Sequence, residues 1–166
     1  MKAAPGPVRP GTLPRSILAG QKEPCQVSGI RCRLAFAGGT FDIVPLITRF
    51  EDVQAWQEAR KLTRSIYQLV ENSSLRQDFG LKDQIQRAAV SSMANIAEGF
   101  DCESKVEFAR FLGIARRSVV EVQSLLYVAL DNGCVSEQIF RAHYAQAAKT
   151  KALIGGFKKS LLRRST

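Results

Sequence analysis

The chain has 166 residues, an apolar fraction of 45% and a net charge of +9. That length suffices for one domain with a sizeable core plus a tail, and the apolar fraction excludes a wholly disordered chain. The positive charge lies at the two ends: residues 1–49 carry a net +5, residues 50–135 a net −2 and residues 136–166 a net +6. Strongly basic segments favour nucleic acid or another polyanion as a partner.

Residues 1–48 hold all six prolines of the chain and show no regular apolar pattern. We expect a disordered or loosely structured extension there, because such a segment cannot bury a core. A start codon assigned too early is an alternative explanation, since the well-patterned sequence begins abruptly near Phe50. The predicted division is therefore an extension over residues 1–48 and a folded domain over residues 49–166.

From Phe50 onwards, apolar residues recur every three or four positions in four successive segments, which predicts four amphipathic helices. The second of these helices is expected to start at Leu81, after a linker. The segments are long and the loops between them short. This pattern indicates an all-α fold, an up-down-up-down antiparallel four-helix bundle.

The ends of the third helix carry recognisable signals. Ser104 followed three residues later by Glu107 predicts a capping box at its start. Gly133 suits the left-handed position that follows a helix end. In the fourth helix, the adjacent Gly155 and Gly156 indicate either close packing or a slight bend.

The sequence gives little support to an enzyme. His143 is the only histidine, and no Glu lies three residues before it, as a di-iron bundle would need. No phosphate-binding loop, dinucleotide fingerprint or nucleophile elbow is present. We therefore expect no catalysis, no metal and no cofactor.

The four cysteines match no zinc site, redox pair or disulfide framework, so we expect reduced thiols in a cytoplasmic protein. No apolar run approaches the ~20 residues that a membrane span needs, so we expect no membrane partner.

Four spaced blocks of sequence resemble a known family. They cover about residues 50–162 and read Phe50-Glu51-Asp52-Val53-x-Ala55-Trp56-Gln57-x-Ala59, Gly80-Leu81-x-x-Gln84-Ile85-x-Arg87-Ala88-Ala89-Val90-Ser91, Asn95-Ile96-Ala97-Glu98-Gly99 and Phe108-x-Arg110-Phe111-Leu112-x-Ile114-Ala115. The family is that of the small bacterial four-helix bundles encoded by intervening sequences within 23S ribosomal RNA genes. The accessory protein of diversity-generating retroelements is similar to it.

This resemblance implies a homo-oligomer, a pentamer in family members, and nucleic acid and a reverse transcriptase as possible partners. One departure is visible, because the family usually carries Ile-Pro-Ser where this chain has Ser92-Met93-Ala94. Without the proline, we expect the second helix to continue without a kink or break.

The polar residues of the second helix are either a solvated face or a hydrogen-bond network between helices or subunits, and nearby alanines favour the network; a catalytic Glu98 has no matched partner residues. A second stripe on the third helix, which includes Ser118 and Glu121, is covered either by the fourth helix or by another subunit. Glu121 would need a cationic partner if buried, with Arg87 or Arg117 as candidates. The residues assigned to this structural or oligomer network are Arg87, Ser91, Asn95, Glu98, Ser118 and Glu121.

Cations on the fourth helix are interrupted by almost no acids, although most charge runs are simply solvated faces. Of all segments in the sequence, this helix is the best candidate to bind a phosphate backbone through its positive charge. The lack of regular aromatic residues among these cations argues against sequence-specific reading of bases. The predicted nucleic-acid-binding residues are Arg141, Lys149, Lys151, Lys158, Lys159, Arg163 and Arg164.

The sequence thus predicts a non-enzymatic, oligomeric helical bundle that serves as an accessory or scaffold and binds RNA or DNA phosphates. The alternative is a protein–protein adaptor whose basic face meets an acidic partner.

Overall fold

A computed structural model describes residues 47–163 of the chain. Its four α-helices are α1 (Gln54–Glu71), α2 (Phe79–Phe100), α3 (Lys105–Asp131) and α4 (Glu137–Arg163). Two short 3-10 turns, Phe50–Asp52 and Ser74–Gln77, precede α1 and α2. This part of the chain contains no strand. The predicted extension therefore lies outside the described residues, apart from its last two positions.

The four helices form a closed ring in which each packs against its neighbours in sequence and α1 packs against α4. Short connections join successive helices, which makes neighbours antiparallel. Contacts at two levels show this direction for α3 and α4. Lys158 near the end of α4 lies at Gly113 near the start of α3, whereas Tyr144 near the start of α4 contacts Tyr127 near the end of α3. The prediction of an all-α, up-down-up-down antiparallel bundle is confirmed.

The core is built from the apolar stripes that the sequence shows. Leu62, Ile85, Leu126 and Ile154, one from each helix, are fully excluded from solvent. Fully burying one such side chain stabilises the fold by about 1.5–3 kcal/mol. The buried Phe108 ring closes one end of this core. Its edge-to-face contacts are with the rings of Phe100 at 6.1 Å and Phe157 at 5.5 Å.

Helix α2 begins two residues earlier than predicted because Asp78 caps it. The Asp78 carboxylate accepts a hydrogen bond from the Leu81 backbone N–H at 2.9 Å, which satisfies one of the unpaired donors of the first turn. The helix then continues without interruption through residues 92–94, where the family's proline is missing. This continuity agrees with the expectation from the sequence.

The two signals at the ends of α3 have opposite outcomes. Ser104 does occupy the N-cap position with extended backbone angles, but its hydroxyl makes no capping hydrogen bond, so the predicted capping box is wrong. At the other end, Gly133 has a φ of 66°. The Cys134 N–H bonds to the Ala129 carbonyl at 2.8 Å and the Gly133 N–H to the Leu130 carbonyl at 2.9 Å, which confirms the left-handed cap.

No helix among residues 47–163 combines the length and the apolar character needed to cross a lipid bilayer.

Two helical glycines provide a test of packing. A β-carbon on Gly99 would lie 2.6 Å from both Phe108 Cδ2 and Phe111 Cβ, whereas one on Gly156 would have no neighbour within 4 Å. We expect Gly99→Ala to lower the free energy of unfolding by about 1–3 kcal/mol through overpacking. Gly156→Ala, with the same chemical change, should raise it by about 0.5–1 kcal/mol.

Urea denaturation of the two variants beside the unmodified protein would measure both effects. An equal effect of the two substitutions would contradict the close approach of α2 to the start of α3.

Candidate functional site

Helices α3 and α4 face each other at the surface through two stripes of residues spaced by three or four positions. Such spacing places the members of each stripe on one side of their helix. We call the line where they meet the α3–α4 seam. It is formed on α3 by Gly113, Arg116, Val120, Gln123 and Tyr127, and on α4 by Tyr144, Lys151, Gly155, Lys158 and Leu162. Tyr144 and Lys151 are seven residues apart, a spacing of two turns that keeps them on the same side of α4.

A groove of about 730 Å³, open to solvent, lies along the seam towards the start of α3. A smaller hollow of about 430 Å³, which includes Arg163 and also touches Lys159, lies beside it on α4. Among residues 47–163, no carboxylate lines either depression. We call the larger one the basic groove; its lining residues are Arg110, Gly113, Arg116, Arg117, Val120, Gly155, Lys158, Lys159 and Leu162.

Two glycines allow cations to lie across the seam. Lys158 Nζ of α4 lies 3.0 Å from the position that a β-carbon on Gly113 would take. In the opposite direction, Arg116 Nε of α3 lies 3.8 Å from the corresponding position on Gly155. Each cation thus rests over the partner helix at a point where a side chain is missing. The two charges are thereby held in one groove rather than on two separate helix faces.

The predicted cations of α4 divide into separate groups. Lys158 and Lys159 line the basic groove, and Arg163 lies in the neighbouring hollow. Arg141 instead pairs with Glu137 one turn away on its own helix. Lys151 bonds to Gln123 further along the seam. Arg164 lies outside the described residues.

Lys149 lies at a different helix contact, between α4 and α1. Its Nζ is 3.1 Å from Glu58 Oε2, and Lys61 Nζ is 2.8 Å from Glu58 Oε1. The Glu58 side chain is only 8% exposed. The hydrogen bond from Lys61 lowers the pKa of Glu58 below its ordinary value of 4.5; burial opposes this shift, and Lys149 adds to it. Lys149 therefore has a partner that holds two helices together.

Sequence reasoning missed three cations of the groove, Arg110, Arg116 and Arg117, because they belong to α3, where acids and apolar residues dilute the positive charge. A usable signal was present in the sequence. Arg110 and Arg117 are seven residues apart on α3, as are Lys151 and Lys158 on α4. A spacing of seven keeps residues on one side of a helix over two turns.

The residues assigned to a network on α2 and α3 come together only in part. The Ser91 and Ser118 hydroxyls are 2.9 Å apart across the two helices. Asn95 Nδ2 donates to the Ser91 carbonyl at 2.8 Å and to the Ser91 hydroxyl at 3.1 Å. This polar contact lies within one chain and fixes the register of α2 against α3.

The charged members of that set lie outside the contact. Arg87 pairs with Asp83 of its own helix at 3.3 Å, and the side chains of Glu98 and Glu121 are exposed. Within residues 47–163, no ion pair joins Glu121 to Arg87 or Arg117. An exposed carboxylate is solvated, so the predicted need for a cationic partner does not arise.

The end of the seam away from the groove is aromatic. The Tyr127 ring centroid is 4.8 Å from that of Phe140 and 5.6 Å from that of Tyr144. Tyr144, through its charge and a hydrogen bond, raises the pKa of Tyr127 together with partial burial. Nearby, the ring of His143 bonds through Nδ1 to the Ile139 carbonyl at 2.9 Å. Among the described residues, no cluster of three His, Cys, Asp or Glu side chains is arranged to hold a metal ion.

The fold and the seam together define a class of protein: an antiparallel four-helix bundle with a basic groove along one edge. Within this class, the model of the 23S rRNA-intervening sequence protein family matches residues 51–156, and the chain belongs to that family. The family resemblance seen in the sequence is thereby confirmed.

A solved structure has the same fold. It comes from Bacteroides thetaiotaomicron VPI-5482 and is described as a protein with unknown function from the S23 ribosomal protein family. The two sequences are 19% identical, and the alignment covers 63% of this chain and 98% of that one with a TM-score of 0.58. At this identity the likeness concerns the fold alone. A comparison with proteins of curated function gives no match.

The ion pairs of Glu58 give a prediction for pH dependence. Because the pKa of Glu58 is lower in the folded chain than its ordinary value of 4.5, its contribution to stability is present above pH 4.5. This contribution should disappear as the pH falls through the lowered pKa. At neutral pH we expect Glu58→Gln to reduce the free energy of unfolding by about 1–2 kcal/mol, since hydrogen bonds to a charged group are lost.

Denaturant titrations at a series of pH values would measure the difference between the variant and the unmodified protein. That difference should shrink towards zero in acid. Glu98→Gln, which changes an exposed carboxylate on α2, serves as the control and should show no such trend.

Proposed function

We propose that this protein is a non-enzymatic accessory or scaffold protein that binds the phosphate backbone of RNA or DNA in the basic groove. The observation that supports the proposal most strongly is the concentration of five cations in one groove that no carboxylate of residues 47–163 lines, namely Arg110, Arg116, Arg117, Lys158 and Lys159.

The groove cations carry charge that no other residue in the described part of the chain neutralises. None of the five forms an ion pair with another described residue, in contrast to Arg141 and Lys149. A cleft lined by one sign of charge concentrates oppositely charged ligands. Binding of phosphates there releases condensed counterions, which makes the affinity strongly dependent on salt and tolerant of sequence.

We expect the triple substitution Arg116→Gln, Lys158→Gln and Lys159→Gln to weaken binding of RNA and DNA oligonucleotides steeply. If each cation contacts one phosphate, the slope of log affinity against log salt should fall by about 2–3. Fluorescence anisotropy at several salt concentrations would measure affinity and slope together.

The matched control removes three cations from the other side of the bundle: Arg64→Gln on α1, Arg76→Gln in the second 3-10 turn and Lys82→Gln on α2. Both variants have the same net charge, so a loss caused by total charge alone would be equal in the two. An equal loss would contradict the groove as the binding site.

An adaptor function with an acidic protein partner is the alternative to nucleic-acid binding. It is favoured if the purified protein retains neither RNA nor DNA at moderate salt while the groove triple variant loses a protein partner. A reverse transcriptase stays a predicted partner that rests on the sequence resemblance alone.

We also propose that the chain associates with itself. The resemblance to the family favours a pentamer. Exposed apolar side chains of α3 that do not line the basic groove support association; Val106 is 70% exposed, and Val128 is also exposed. Native mass spectrometry should show a discrete multiple of the chain mass. A monomer at all accessible concentrations would contradict this part of the proposal.

A further inference from the structure

The aromatic end of the α3–α4 seam lies outside the basic groove and carries a partly exposed ring. Tyr127 is 48% exposed, although its ring also contacts Phe140 and Tyr144. These contacts hold the ring in place from one side and leave part of it open to solvent. A ring fixed in this way loses little conformational freedom when a flat ligand packs on it.

A further cation lies between the basic groove and Tyr127. Lys151 Nζ bonds to Gln123 Oε1 at 2.8 Å. Since this acceptor is a neutral amide, the charge of Lys151 is not cancelled. Gln123 lies seven residues beyond Arg116 and four before Tyr127. At a rise of about 1.5 Å per residue, these spacings correspond to roughly 10 Å and 6 Å along α3.

The seam thus presents cations at successive levels and then an exposed aromatic ring about one helical turn beyond the last of them. That step is comparable to the length of one nucleotide in an extended strand. A strand whose phosphates follow the cations would bring a base to the level of Tyr127. In an uninterrupted duplex the base faces are stacked on one another, and the ring would find only sugars and phosphates.

We propose that the seam binds nucleic acid with at least one unpaired nucleotide, whose base stacks on Tyr127. This inference rests on the proposed function and narrows its ligand to single-stranded or locally unpaired RNA or DNA. Stacking on an aromatic side chain tolerates any base, because every base has a π-face. The ligand class is consistent with the absence of regularly spaced aromatic residues that sequence-specific reading would use.

The competing explanation is that Tyr127 only covers the buried Phe140 ring. Tyr127→Leu separates the two roles, since leucine keeps an apolar cover but has no aromatic face. Tyr127→Phe keeps the face and loses the hydroxyl that interacts with Tyr144. Tyr67→Leu is the matched control, because Tyr67 is a similarly exposed tyrosine on α1, a helix that contributes no residue to the seam.

The experiment measures the affinity of each variant for one mixed-sequence RNA oligonucleotide, as a single strand and annealed to its complement. We expect Tyr127→Leu to weaken binding of the single strand by about 5- to 100-fold, the loss of one stacked base. Duplex affinity should not change. Tyr127→Phe and Tyr67→Leu should bind both forms like the unmodified protein.

An unchanged single-strand affinity in Tyr127→Leu, or an equal loss for strand and duplex, would overturn the inference. Should Tyr127→Leu fail to fold, the affinity of the unmodified protein can be measured for a normal strand and for an abasic strand of equal charge. Equal affinity for the two strands would also overturn the inference. The groove triple variant separates this result from the proposed function. If that variant loses both ligands while Tyr127→Leu loses neither, only the stacking inference fails.

Discussion

The register of α3 against α4 is the constraint on which the arrangement of the site depends. Both helices have 27 residues. Gly113 on α3 lies at the level of Lys158, and Gly155 on α4 lies at the level of Arg116, so each cation can cross the seam over a glycine. Shifting the sequence of one helix by a single residue, as an insertion within it would, rotates the rest of its stripe by about 100° relative to the other helix. The cations would then leave the groove and the glycines would face other positions, so one packing register determines both the shape and the charge of the edge.

The fold was predictable because its information is local. Apolar residues at intervals of three and four define the helices, and the glycine at position 133 needs only its own backbone to end α3. The predictions that failed concern the starts of α2 and α3, where a single side-chain hydrogen bond determines which residue caps the helix. The hydroxyl of Ser104 makes no capping hydrogen bond, while Asp78, which lies before the predicted start of α2 at Leu81, caps that helix. Serine and aspartate are both good N-caps, and the sequence pattern alone does not distinguish which of them makes the bond.

The candidate site was predictable only by half, because a groove between two helices needs residues from both. Charge counted along the sequence finds α4, where cations are dense, and passes over α3, whose three groove arginines are diluted by acids. The same count assigned Lys149 to the binding face, since nothing local shows that Glu58 lies beneath it in space. These two residues are separated by almost the whole folded domain in sequence, and only the closure of α1 against α4 brings them together.

The polar groups of the bundle are distributed unequally among its helix contacts. Between α2 and α3, the hydroxyls of Ser91 and Ser118 satisfy one another, and between α1 and α4 the buried carboxylate of Glu58 holds two lysines. In both arrangements the polar groups are hydrogen-bonded to partners within the chain, and these bonds fix how the helices pack. The α3–α4 seam differs because its cations meet glycines and a neutral amide rather than carboxylates. Since like charges repel, such an arrangement opposes folding rather than promoting it. Within residues 47–163 these cations are held together without counter-charges, which supports the proposal of a ligand that supplies the negative charge.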